Sequence, residues 1–503
     1  MAKTLDNNDN TAEGGCCGGQ RVSPFLRQLL AVSGVVMYMT GTGANIAYPG
    51  VLLQQLRQPG SAVKLTHEHE SWIASILGLA LISGIVVAPF ILQKFGRKFT
   101  NQLSTLPSLG GWALLLVAKG PAALLISRFL QGFGMGLQAA AAPVSIAEYS
   151  APKHRGAFLA TIAFSFALGM LVAHIFGTIL YWRQAAIACG SCYAVSLVLI
   201  SLAPETPPYL ASVGRYDECR RSFRWFRGHD EESEKELELL LSSQKREVTN
   251  ANSAPKVSKL RLLAQILRKP EFYKPTVIMM FMFILFQISG MTVVPSYTVP
   301  MMKEVSGGTI EPYTSMLMVD VVRFATAVLA CIVVNKFNRR AVLFWGISIS
   351  CVSLLLTALL LYLRDLGHLP VDYAWVPVIP TLTYIFGKTL GILPIPWAIA
   401  GEIFPLAYRS LGGGISGMFL SIMFFVVVKT APTSFRQIGV NGTFCMYGVS
   451  IAICGVFLFF LLPETRGKTL YEIECHFRGI KTETRTDICE KDKMLELEKV
   501  EEG

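Results

Sequence analysis

The chain has 503 residues, of which 52% are hydrophobic and 16% charged, with a mean hydropathy of +0.47 and a formal net charge of +11. An average soluble protein is roughly 25% charged, so a string of soluble domains is excluded as the main body. The excess positive charge crowds alternate loops, which argues against a nucleic-acid surface.

Apolar stretches of about 20 residues recur along the chain, each long enough to cross a hydrocarbon core about 30 Å thick. In lipid the backbone must satisfy its own hydrogen bonds, so such runs are helices. After a polar, Gly-rich tail (residues 1–28), spans are predicted at Leu29–Leu53, Trp72–Leu92, Leu103–Val117, Pro121–Ala142, Gly156–Tyr181 and Ala185–Ala203. The third is short and weakly apolar. A polar linker, residues 204–273, follows, in which Glu234–Leu241 and Leu260–Leu267 are patterned as short bracing helices. Further spans are predicted at Pro275–Tyr297, Tyr313–Val334, Ala341–Leu363, Trp375–Ile399, Leu411–Val428 and Gly442–Leu462. A charged tail (residues 465–503) closes the chain and is expected to be disordered beyond Phe477. The expected fold is an all-α membrane protein of twelve transmembrane helices, with six-helix halves at residues 29–203 and 274–464.

Lys94, Arg97, Lys98, Lys153, Arg155, Lys336, Arg339 and Arg340 fall on one side of this scheme, against Lys119, Arg183 and Arg364 on the other. The positive-inside rule then puts both termini and the linker in the cytoplasm. No small-residue cleavage site follows the first span, so a removable signal peptide is not expected. No cysteine falls in an outside loop, and no structural disulfide is expected. Cys189 and Cys192 have the spacing of a metal motif but sit in an apolar helix without a second pair. Cys16 and Cys17 read either as a solvated tail or as palmitoylation sites. Asn441-Gly442-Thr443 is a glycosylation sequon on the outside, close against the last helix.

The halves repeat each other. Lys94-Phe95-Gly96-Arg97-Lys98 follows the second span and Lys336-Phe337-Asn338-Arg339-Arg340 the eighth. Glu148 precedes Arg155 after the fourth span, as Glu402 precedes Arg409 after the tenth. Pro204-Glu205-Thr206 ends the sixth span and Pro463-Glu464-Thr465 the twelfth. Basic residues alone would only mark the membrane boundary. The matched glutamates add a need for partners where they are partly buried. Two clusters are therefore expected, Arg97 with Glu148 and Arg155, and Arg339 with Glu402 and Arg409. Their expected role is to hold the cytoplasmic ends together while the cavity faces outward, and to break when it faces inward. Pro394-Ile395-Pro396-Trp397 should break the tenth helix, either as a mobile gate or as a static kink.

Several longer signatures accompany the repeat. They are Glu70-Ser71-Trp72-Ile73-Ala74-Ser75; Arg128-Phe129 with Gly132, Gly134, Gly136, Pro143, Glu148 and Arg155; Gly401-Glu402-Ile403-Phe404-Pro405 with Arg409; and Pro463-Glu464-Thr465-Arg466-Gly467-Lys468-Thr469-Leu470. With these the chain resembles the sugar porter family of the major facilitator superfamily, and within it the facilitated trehalose transporters of insects. The resemblance implies facilitative transport of trehalose or a hexose by alternating access at the plasma membrane. It also implies a polar site at Gln287 and Thr292, with Phe286 beside them and Trp397 stacking on the sugar. Family amide positions fall here on Ala163, Leu420 and Phe424, and the tenth-helix Gly-Pro begins with Leu393. Tyr297, Thr383, Tyr384, Thr389 and His174 are candidate replacements. Pro208 and Asn338 also depart from the family pattern, at the cytoplasmic face.

Ionisable residues inside spans are costly and often functional. Lys388 either meets an anionic substrate or pairs with a neighbour. Asp320 and Arg323, one turn apart, are expected to pair with each other. His174 reads as a satisfied core histidine or a proton carrier. Proton symporters of the family carry an acid in the first helix, where this chain has Asn45, so facilitated diffusion is expected. The alternatives are a same-fold transporter of a less polar or anionic solute, and a non-transporting sensor. No nucleophile–base motif, phosphate loop or metal cluster is present in the sequence, so no enzyme, cofactor or metal site is expected.

Overall fold

The computed structural model describes residues 23–61, 63–253, 265–368, 370, 373–405, 408–466 and 470–478. Cys16, Cys17, Cys489, the Leu260 end of the second linker helix, Gly467-Lys468-Thr469 and the tail beyond residue 478 lie outside them.

The first half comprises α1 (Pro24–Leu56), α2 (His67–Val117), α3 (Pro121–Tyr149), α4 (Pro152–Ile179) and α5 (Trp182–Leu202). Proline at the first turn opens α1, α3 and α4, where its missing N–H has no partner to lose. The 51-residue α2 holds the second and third spans end to end, turning at Gly96 with φ +91°. A Cβ there would also lie 2.3 Å from Glu205 Oε2, so the turn and the contact both require glycine. The third span reads as weak because it buries a polar stripe. Asn101 Nδ2 donates to Ser145 Oγ at 2.7 Å, Gln138 Nε2 to Asn101 Oδ1 at 2.9 Å, and Ser104 Oγ to Gln138 Oε1 at 2.6 Å. Gly132, Gly134 and Gly136 on α3 let it meet α2 backbone to backbone. A Cβ on Gly136 would stand 2.3 Å from Leu81 O, and one on Gly132 2.7 Å from Leu77 O.

The linker folds as α6 (Pro207–Ser212), α7 (Tyr216–Arg227) and α8 (Glu231–Ser253). It braces the first half. Gln28 Nε2 donates to Phe226 O at 2.9 Å, Arg227 Nη2 to Ser150 O at 2.6 Å, and Phe226 stacks on Tyr149. Glu234–Leu241 lies within α8; the six-residue α6 and the charged α7 are helices that the sequence pattern does not announce.

The second half comprises α9 (Pro270–Ile288), α10 (Val293–Val305), α11 (Pro312–Lys336), α12 (Arg339–Asp365), α13 (Val378–Gly387), α14 (Pro394–Ala400), α15 (Arg409–Gln437) and α16 (Gly439–Leu461). Helix α17 (Leu470–Arg478) braces it through Arg478 Nη2 on Glu271 Oε1 at 3.1 Å. The seventh span is two helices, α9 and α10, and the tenth is α13 and α14. Among the described residues, ten helical spans are long and apolar enough to cross a membrane. Counting α2 twice and adding α3, which packs between its neighbours, gives twelve crossings in two pseudo-symmetric halves.

Contact between the halves is concentrated away from the linker. Ser71 Oγ donates to Lys429 O at 3.1 Å, Trp72 packs on Phe425 with ring centroids 5.7 Å apart, and Ser296 Oγ donates to Ile46 O at 3.3 Å. Helices α4 and α11 stay together from His174–Asp320 down to Cys331 Sγ on Ala160 O at 3.8 Å. The contacts that join the halves therefore close the remote end, and at the linker end a Cβ on Gly413 or Gly414 of α15 would meet nothing within 4 Å.

Candidate transport site and gates

The two charge clusters sit at the linker end, one in each half. Arg97 Nε and Nη2 donate to Glu148 Oε1 at 3.1 and 2.8 Å, and Arg339 pairs with Glu402. Glu205 accepts the backbone N–H groups of Arg97, Lys98 and Thr206, and Glu464 those of Arg340, Thr465 and Arg466. Burial pushes the Glu205 carboxyl above its usual range, and those backbone donors work against the shift. Arg155 and Arg409 differ from the expected clusters. Arg155 is exposed and Arg409 half-buried, and neither bonds its glutamate. Arg155 instead lines a cavity of about 560 Å³ with Glu148, Pro207, Pro208, Phe223 and Arg227, between the first half and the linker helices.

Both broken spans owe their shape to local sequence. In the tenth, Pro394 has no N–H to donate back along the helix. The chain enters it through a π-helical turn, Lys388–Ile392, in which Leu393 N donates to Lys388 O at 2.9 Å. The break thus lies one turn earlier than the Pro394–Pro396 run suggests, with Pro394 opening α14 and Pro396 buried inside it. In the seventh, Gly290 (φ +72°) stops α9; Ser289 O is left to a side-chain donor, while Gly290 O accepts from Val294 N of α10 at 3.1 Å and has a second lone pair to offer.

The two breaks meet. Tyr384 OH donates to Ser289 O, and Lys388 Nζ donates to Gly290 O at 3.1 Å while lying over the Tyr384 ring at 4.7 Å. A cation at the carbonyl end of α9 also suits the helix dipole. Lys388 is buried, so the structure places it as the cap of the seventh-helix break. Sequence alone left its partner open.

Trp397 on α14 is 48% exposed, and Phe283 and Phe286 of α9 stand 5.7 and 6.2 Å from it. Gln287 is buried and accepts from Thr292 Oγ1 at 2.8 Å, while Tyr297 OH and Thr389 Oγ1 are buried without partners. Leu420, Phe424 and Leu393 are buried in the apolar core. Thr383 is exposed and bonds its own helix through Ile379 O.

Asn45 joins a network that the sequence did not reveal. Arg128, fully buried on α3, donates to Asn45 Oδ1, to Asn45 O at 2.9 Å, to Gln131 Oε1 at 2.8 Å and to Ile73 O at 3.3 Å. Neutral oxygens hold this arginine. His174 on α4 meets Asp320 on α11 across the interface between the halves, and Arg323 Nη1 donates to Asp320 Oδ1 at 2.5 Å. The Asp320–Arg323 pair follows from its one-turn spacing. Its link to His174 depends on tertiary packing, and the only advance signal was buried charge of both signs in facing halves.

Two six-helix halves, closed at one end and hinged on two broken spans, define a polytopic alternating-access transporter of the major facilitator fold. The fold matches the major facilitator superfamily proton:xylose symporter XylE bound to 6-bromo-6-deoxy-D-glucose with a TM-score of 0.70 and 19% identity, covering 90% of this chain and 99% of that one. The profile of the family described as "Sugar (and other) transporter" matches residues 29–477, and the chain belongs to that family. It is 31% identical over 458 residues to the facilitated trehalose transporter of Apis mellifera ligustica, covering 90% of this chain and 89% of that protein. It is also 31% identical over 462 residues to the facilitated trehalose transporter of Drosophila mojavensis, but spans only 51% of that longer protein.

Proposed function

We propose that the chain carries a sugar, trehalose or a hexose, by facilitated diffusion across the plasma membrane, with both termini and the linker in the cytoplasm. The observation that carries this reading is the meeting of the two broken spans beside an aromatic wall. Trp397, with Phe283 and Phe286 behind it, offers a sugar ring an apolar face. Gln287, Thr292, Tyr297, Thr389 and Asn45 supply polar groups, of which Tyr297 OH, Thr389 Oγ1 and Asn45 Nδ2 are uncommitted. A polyol needs such groups to replace its lost water. That the relatives named above are facilitated trehalose transporters favours trehalose over a monosaccharide. Asn45 beside Arg128 supports a uniport, because no carboxylate takes part in that network.

At the linker end, Arg97–Glu148 and Arg339–Glu402, with Arg155, Arg409, Glu205 and Glu464, form the gate that closes when the cavity turns outward. Lys388 is taken up by Gly290 and Tyr384, which weakens the case for an anionic solute. A less polar solute keeps the support of buried Phe286, Leu420 and Phe424. Uptake of labelled trehalose, glucose, glycerol derivatives and organic anions into liposomes holding the purified chain decides between them. Saturable trehalose or glucose flux is the expected result. Flux of only the apolar or anionic probes would remove the sugar reading.

A further inference from the structure

His174 is fully buried, and its ring touches both halves of the protein. Nδ1 faces Asp320 Oδ2 on α11 of the second half. Nε2 faces two backbone carbonyls, Ala47 O on α1 at 3.3 Å and Pro295 O on α10 at 3.2 Å. None of these partners is a donor. Two are carbonyls, and the third is a carboxylate whose other oxygen already receives Arg323 Nη1 at 2.5 Å. A neutral imidazole has one N–H, so either tautomer would aim a nitrogen lone pair at oxygen lone pairs. Only the imidazolium donates from both nitrogens.

We infer that His174 is a proton-binding site whose bound proton ties α4 to α11, and through Ala47 and Pro295 ties α1 to α10, closing the end remote from the linker. The charges around the ring fit this assignment. Helix α11 presents Asp320, with Arg323 one turn on, and the π turn of the tenth span presents Lys388, which feels both charges but is bonded to Gly290 and Tyr384. From α1 and α10 the ring receives only backbone carbonyls among the described residues. Tyr297, further along α10, lies beside the Arg57–Glu70 pair. On α3, Arg128 is occupied by Asn45 and Gln131, and on α5, Arg183 donates to Ala118 O. Within α4, Met170 and Thr178 flank the ring and are uncharged.

Opening the remote end must pull α4 and α1 from α11 and α10, which breaks the two contacts that cross between the halves, to Asp320 and to Pro295 O, and leaves Ala47 O with the half that holds the ring. A proton needed by one state and not by the other acts as a ligand of the first. Acid therefore favours the state closed at the remote end and open at the linker end. Raising the pH removes the proton and frees the remote end. This rests on alternating access but not on the identity of the solute.

The test is a distance measurement on the full chain in liposomes without substrate. Double electron–electron resonance between spin labels at exposed Lys64 and Ile438 reports the remote end. The short-distance population should dominate near pH 5.5 and shrink toward pH 8.5, with the closed:open ratio falling by up to about tenfold per pH unit through the transition. His174→Asn should flatten that dependence, and His174→Arg, permanently charged, should flatten it too. A wild-type distribution unchanged from pH 5 to 9 overturns the inference without reference to any variant. So does a His174→Asn profile with the wild-type slope. Failure of sugar uptake would count against the proposed substrate and would leave this measurement unaffected.

Discussion

Glu205 and Glu464 share two corresponding bonds in opposite halves of the protein. Lys98 N and Thr206 N donate to Glu205 at 3.0 and 2.8 Å, and Arg340 N and Thr465 N donate to Glu464 at 3.1 and 3.0 Å. Each carboxylate pins the end of its half's last span to the start of that half's third. The internal repeat is thus preserved as a hydrogen-bond pattern as well as a motif. It makes each half a rigid body at the end where the halves must move. Rocking of two rigid halves needs that stiffness.

Replacing Glu205 with alanine strands three backbone donors, those of Arg97, Lys98 and Thr206. Glu205→Ala should lower stability by about 2–4 kcal/mol, since each buried donor left unmade costs about 1–3 kcal/mol and part of the group regains water. Glu205→Gln keeps an acceptor oxygen and should lose less. Thermal unfolding in detergent, followed by fluorescence, ranks the two. Equal losses would show that the side chain's volume matters and its oxygens do not.

Gly96→Ala should be worse than either. The substitution forces a left-handed backbone on alanine, at about 1–2 kcal/mol, and drives a methyl group against Glu205 Oε2. Folded yield and unfolding temperature should both fall below those of Glu205→Gln. The corresponding position in the second half is Asn338, with φ −63°, so Asn338→Ala should be nearly silent there. The paired halves thus supply an internal control.

The helical architecture was legible in the sequence because hydrophobic length reports a membrane crossing directly. The edges that moved did so for physical reasons. The third span hid behind the inward-facing Asn101, Ser104 and Ser108, whose partners lie on other helices. The seventh span reads as one apolar run, and its break shows only once Gly290 is seen to end α9. Site chemistry was less legible. Lys388 and His174 were recognisable as costly, but what satisfies them is a carbonyl or carboxylate on a distant segment. The pairs Arg97–Glu148 and Arg339–Glu402 form, whereas spacing alone did not show that Arg155 and Arg409 would stand apart from them.

Lys388→Met tests the cap of the seventh-helix break. Methionine approximates the length of the chain without its charge, leaving Gly290 O with Val294 N as its remaining donor and Tyr384 without the cation over its ring. If Lys388 serves the break, maximal uptake should drop tenfold or more, about 1.4 kcal/mol or greater, while KM changes by less than about threefold. The opposite pattern, with KM raised and the maximal rate intact, would move Lys388 into the substrate site.

Trp397→Ala removes the exposed aromatic face and should raise KM about 5–30-fold, equivalent to about 1–2 kcal/mol of ring contact and buried area. Trp397→Phe should recover most of that loss. Because Trp397 is half exposed and meets Phe283 and Phe286 at tilted and perpendicular angles, its removal should leave the unfolding temperature nearly unchanged. A large loss of stability with unaltered KM would make it a packing residue.

The linker-end pairs give the most discriminating substitution. In the present state Arg97–Glu148 and Arg339–Glu402 each lie within one half, so neither holds the halves together. If they act when the linker end closes, the glutamates must then also meet charges of the other half, with Arg155 and Arg409 free to supply them. Glu402→Gln should therefore weaken the closed linker end more than the open one. An effect of about 0.5–2 kcal/mol, typical of partly exposed ion pairs in a network, changes the ratio of states by about 2–30-fold. Alkylation of a single cysteine placed on the linker-end face of α15, at Gly413, would report the open population. Glu402→Gln and Glu148→Gln should each raise its alkylation rate, and the double substitution should raise it by less than the product of the two. Strict multiplicativity would mean that the clusters act separately, each only inside its own half.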